Sequence, residues 1–172
     1  LVKPLLGAAL LVGCGVTWTL LRQQQLPMTT IATNAAELPP FYGNGYKLIE
    51  SLLSEPIGTE TSALVLFGSL ALLMILKAIA TAFTLGSGGA GGLFAPGLVI
   101  GAILGAAYSA LTVLVPALPD VSPTHGVLVG MGAFVAAGAH APLAGAFLVY
   151  ELTHSYAILL PLLLAAVIAT VA

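Results

Sequence analysis

Between two long apolar runs lies Gly86-Ser87-Gly88-Gly89-Ala90-Gly91-Gly92-Leu93-Phe94-Ala95-Pro96. Five glycines and two other small residues give way to a new helical pattern that opens on Leu93-Phe94-Ala95-Pro96. Glycine backbone bends sharply and lets a ligand come close. Proline suits the first turn of a helix, where its missing N–H costs little. The stretch therefore reads as an unwound connector running into a helix N-terminus. Free N–H groups there, with the positive end of the helix dipole, make an anion site without any charged side chain. The competing reading is a glycine hinge that only lets two helices pack.

The surroundings are apolar. Of 172 residues, 59% are hydrophobic and only 6% charged, with a mean hydropathy of +1.12. Soluble domains average about 25% charged residues. So few charges cannot cover a soluble surface, and nothing reads as strand, so the class is an all-α integral membrane protein. A net charge of −2 with no basic patch gives no footprint for nucleic acid. The single cysteine, Cys14, excludes an internal disulfide and reads as a small packing residue. Residues 1–22 lack a signal-peptide cleavage pattern. A start without Met and an end in an apolar run point to a piece of a longer protein.

Outward from the glycines, Ser62 to Leu85 is a spanning helix whose only charge is Lys77. Lys77 either snorkels to an interface, pairs with a buried acid, or lies near an ion path. Leu93 to Val115 is the next helix, with Gly97, Gly101 and Gly105 forming a glycine face. Pro116, Pro119, Asp120 and Pro123 form a surface loop after it. Gly126 to Ala139 is short, and His140-Ala141-Pro142 breaks it. Pro142 opens a second short helix ending near Glu151-Leu152-Thr153, and Tyr156 to Ala172, with Pro161, is the last run. Interrupted helices of this kind are typical of transporters, where broken ends meet a substrate near the midplane.

Towards the N-terminus, Pro4 to Leu21 is long enough to span. Trp18 suits a membrane interface, and Gly7, Gly13 and Gly15 with Ala8 and Ala9 offer a small-residue packing face. Residues 23–61 are the polar part and carry half of the charged side chains. Gln23-Gln24-Gln25, Pro27, Asn34, Pro39-Pro40 and Gly43-Asn44-Gly45 are turn signals. Tyr46 to Leu53 has the spacing of a short helix.

Gly86-x-Gly88-x-x-Gly91 formally matches a dinucleotide fingerprint, which needs a preceding strand and an acid about 20 residues on. Here an apolar helix precedes it and no acid follows until Asp120. The three histidines, His125, His140 and His154, lack metal spacing, and no nucleophile sits beside a base. The chain is not read as an enzyme, and no cofactor or metal is expected. Glu151 is either a proton-transfer group or an acid meeting water at a helix end.

Three motifs together resemble the CLC chloride channel and transporter family. They are Gly91-Gly92-Leu93-Phe94-Ala95-Pro96 after Gly86-Ser87-Gly88-Gly89, Gly130-Met131-Gly132-Ala133-Phe134-Val135-Ala136-Ala137 followed by Ala141-Pro142-Leu143-Ala144-Gly145, and Leu148-Val149-Tyr150-Glu151-Leu152-Thr153 followed by Leu159-Leu160-Pro161. They come in the family's order and cover nearly the whole chain. The resemblance implies a helical inverted-repeat membrane protein, of which residues 1–172 are most of the second repeat, with broken, re-entrant helices. It implies a chloride channel or proton-coupled antiporter in a multi-pass prokaryotic inner membrane. The permeating anion would be held by the backbone amides of Leu93, Phe94 and Ala95. Gly91 and Gly92 would shape the site, and Pro96 would start the helix. It also implies a homodimer through 142–152 and 156–168.

The family's Gly-Ser-Gly-x-Pro loop and the Gly-x-Glu-Gly-Pro segment with its gating glutamate are absent from this sequence, and the anion-facing tyrosine would lie beyond Ala172. His140 stands where many relatives have arginine. A full path is therefore expected to need an N-terminal half of the same protein. The alternative reading is a membrane packing or assembly module that transports nothing.

Overall fold

The computed structural model describes residues 2–23, 39–54, 63–115 and 117–172. Among the described residues, seven helices follow one another: α1 (Val2–Gln23), α2 (Tyr46–Ser54), α3 (Ala63–Gly86), α4 (Phe94–Leu114), α5 (Pro123–Ala139), α6 (Pro142–Thr153) and α7 (Tyr156–Val171). The turn signals at Gln24, Gln25, Pro27 and Asn34, the acids Glu37, Glu55 and Glu60, and Ser62 and Pro116 lie outside the described residues.

Lys3–Leu20 within α1, Ala63–Gly86 and Phe94–Leu114 are long and apolar enough to cross a membrane. The 12 residues of α6 rise only about 18 Å, short of the roughly 30 Å hydrocarbon core. Helix α5 ends where His140 turns left-handed at φ 50°. The His140 amide donates to Ala137 O, and the Ala141 amide reaches back to Ala136 O. This pair of bonds closes the helix end, and Pro142 starts α6 at its first turn. The expected break at His140-Ala141-Pro142 is therefore present. Pro123 is not in the loop, as expected from sequence, but in the first turn of α5, where proline costs no hydrogen bond.

Helix α4 is central. Of its span, 61% is buried inside the molecule, against 17% of α1. It packs most extensively on α5, and also on α3 and α2, while α5 turns its other side to α6 and α7. The α4–α5 contact is backbone against backbone. A Cβ at Gly101 would stand 2.6 Å from Gly130 O, and one at Gly126 would stand 2.6 Å from Gly105 O. Such approach is what small residues permit in apolar surroundings, where dispersion and packing hold helices together. Gly97, expected in the same face, is different: a Cβ there meets only the Phe134 ring at 3.6 Å, an ordinary contact.

In α1 the expected small-residue face is only partly used. Gly15 faces the Tyr42 hydroxyl and Gly7 faces Ser87, but Gly13 has nothing near it and Ala8 and Ala9 are exposed. Trp18 is also not at an exposed interface position. It is 3% exposed and stands edge-on to Phe41 with ring centroids 5.8 Å apart. The turn at 41–45 folds under α1 and removes this indole from the surface. Helix α2 buries Leu48, Ile49 and Leu52 on one face, as its spacing requires.

Candidate functional site

The end of α3 and the start of α4 build the site. The Ser87 amide donates to Phe83 O, the Gly88 amide to Leu85 O and the Gly89 amide to Thr84 O, each at 3.0 Å. The last two bonds form a Schellman closure, with Gly88 in the left-handed position at φ +82°. An L side chain there is disfavoured, so Gly88→Ala is expected to destabilise the folded protein by about 1–2 kcal/mol. Titration of unfolding in detergent micelles measures it, and a variant as stable as the parent would contradict this account of the turn.

That closure uses the amides of 87–89 and leaves the next ones unengaged. Among the described residues, none of the amides from Ala90 to Ala95 donates to a protein acceptor. Leu93 is the N-cap of α4 without a side-chain cap, and the first bond of the helix runs from the Gly97 amide to Leu93 O at 3.0 Å. Pro96, in the first turn, has no N–H to strand. The helix thus begins at Phe94, one residue after the expected start. Its unpaired amides carry the positive end of a 21-residue dipole, equivalent to about half a unit charge.

Gly91, Gly92, Ala95 and Pro96 line one wall of a cavity of about 540 Å³. Leu93 and Phe94 do not line it, and their side chains are exposed. Of the unengaged run, Ala90, Gly91, Gly92 and Ala95 line the cavity, and the expected site residues Leu93 and Phe94 stand outside it. A Cβ at Gly92 would meet nothing within 4 Å, so the approach to the helix start is open. The facing wall contains Tyr42, Gly43, Asn44 and Lys77.

Lys77 does not reach an exposed helix end, and among the described residues no acid pairs with it. It is 2% exposed and its ammonium donates to Phe41 O at 3.1 Å and Gly43 O at 2.8 Å. Among the described residues the acids Glu50, Asp120 and Glu151 are all exposed. Sequence reading did not assign the 41–44 turn to this wall. Its only signal was Lys77 itself, the single charge in an apolar run.

A second, apolar cavity of about 660 Å³ lies between α4, α5 and α7 and contains none of the expected anion-site residues. His125 is exposed at the start of α5, and His140 and His154 close α5 and α6 with left-handed backbone. Glu151 is exposed in the last turn of α6.

These features define a class: an all-helical membrane protein with a glycine-rich run of unengaged amides lining a cavity beside a helix start. The family model described as voltage gated chloride channel matches residues 1–172, and the chain belongs to that family. The chain is similar to a putative chloride channel protein ClcB-like from Ralstonia nicotianae, 40% identical over 131 residues, covering 76% of this chain and 28% of the relative. It is also similar to H(+)/Cl(-) exchange transporter ClcA from Vibrio parahaemolyticus, 43% identical over 96 residues, 55% of this chain and 20% of the relative. The ClcA protein of Vibrio vulnificus is 35% identical over 128 residues, 74% and 26% respectively. The chain thus spans about a quarter of the length of the curated relatives it matches.

Proposed function

We propose that the full-length protein moves chloride across a membrane, holding it at the backbone amides of Leu93, Phe94 and Ala95. The carrying observation is the run of unengaged amides from Ala90 to Ala95 at the start of α4, with part of the run lining a cavity. Partial charges suit the task. An anion must be bound firmly enough to leave water and loosely enough to move on. Gly91 and Gly92 keep the approach clear, and Pro96 starts the helix without leaving a further donor to satisfy.

The names of the relatives support chloride as the ion, and they include both a channel and proton exchangers. Either mode uses the same amide site. The part of the protein that corresponds to the rest of the relatives supplies the remainder of the ion path and the gating glutamate. A bacterial inner membrane is the proposed setting. A homodimer through 142–152 and 156–168 is supported by the exposed apolar row Leu143, Phe147, Leu160, Leu164 and Ile168.

Purified full-length protein in liposomes is expected to release trapped chloride well above empty vesicles. Flux equal to that of empty vesicles would leave only the packing-module reading. Simultaneous recording of pH separates the modes: uphill proton movement driven by a chloride gradient marks exchange, and its absence marks passive flow.

A further inference from the structure

We propose that Lys77 is a specificity-determining residue, whose ammonium sets how strongly the cavity beside Gly91 and Gly92 holds an anion. This inference rests on the anion-site reading above and adds a side chain to a site otherwise made of backbone.

Position comes first. Lys77 lies well inside α3, nine residues before its end at Gly86, a rise of about 13 Å. A lysine side chain cannot cover that distance to reach the helix end. It points instead to the 41–43 turn, where two carbonyls accept two of its three N–H donors. Carbonyls satisfy hydrogen bonding but do not cancel a unit charge. A buried cation without a counter-charge is costly, and proteins usually pair it. The described acids are all at the surface. Lys77, Gly91 and Gly92 nevertheless line the same cavity. A mobile monovalent anion is the counter-charge that fits this arrangement. The two carbonyls hold the ammonium at the wall, so it acts on the anion through its field and leaves contact to the amides.

The test uses the full-length protein in liposomes and reads the chloride concentration that gives half-maximal flux. Lys77→Met keeps an unbranched side chain one atom shorter and removes the charge, and is expected to raise that concentration about tenfold, as loss of a unit charge near a desolvated site should. Lys77→Arg keeps the charge and should stay within about threefold of the parent. Lys77→Gln can still donate to the carbonyls of the 41–43 turn but carries no charge, so it is expected to raise the half-saturating concentration about as far as Lys77→Met does. A merely structural lysine would be rescued by Lys77→Gln, which would then stay at the parent value. The inference is overturned if folded Lys77→Met or Lys77→Gln keeps the parent's half-saturation. Should Lys77→Met not fold, Lys77→Gln decides alone. A parent protein with no flux overturns the transport reading along with this one. A conducting parent with unchanged variants overturns this one only.

Discussion

Replacing Gly105 with leucine is expected to prevent the full-length protein from folding into its helical bundle. A Cβ at this position would run into Gly126 O and stand 2.9 Å from Val127 N. Both neighbours are main chain of α5, so no rotamer change relieves the clash, and α4 must part from α5 along the largest interhelical contact. Overpacking a well-filled core costs about 1–3 kcal/mol. Forcing two backbones apart should exceed about 4 kcal/mol, the range reserved for failures of this kind. Gly97→Ala on the same helix meets only a ring at 3.6 Å and should change stability by no more than about 0.5 kcal/mol. Unfolding in detergent titrations, followed by helicity, measures both. Equal stability of Gly105→Leu and the parent would show that the two helices do not rely on this approach.

The second large effect is on transport. Gly92→Trp is expected to lower chloride flux by about tenfold or more, because an approach blocked near the reacting geometry loses at least that factor. Stability should fall little, since the Cβ of residue 92 points into open space. The combination matters. Loss of flux with the bundle intact places the effect on the ion's approach to the α4 start, whereas full flux through a tryptophan at 92 would remove Gly92 from the path.

Much of the helical order was legible in the sequence because it depends on local chemistry. Apolar length defined α3 and α4, Pro142 and His140 marked the break between α5 and α6, and the Gly/Pro pattern of 86–96 marked a helix start with amides to spare. Features that depend on distant partners were not legible. Trp18 looked interfacial until Phe41 covered it. The partners of Lys77 lie 36 and 34 residues away, at Phe41 and Gly43, and no periodicity links them. The glycine face of α4 was visible as spacing, but only packing shows that Gly101 and Gly105 need the absence of a side chain and that Gly97 does not. Likewise, Pro123 read as loop because its neighbours Pro119 and Asp120 are loop residues, although its fixed φ suits the first turn of α5.

The amide site itself is tested most directly by locating the ion. Crystals of the full-length protein grown in bromide, an anomalous scatterer that substitutes for chloride, should show a peak in hydrogen-bond contact with the amides of Leu93 and Phe94 at the start of α4. Bromide peaks elsewhere in the membrane-embedded region, with none at that helix start, would contradict the account.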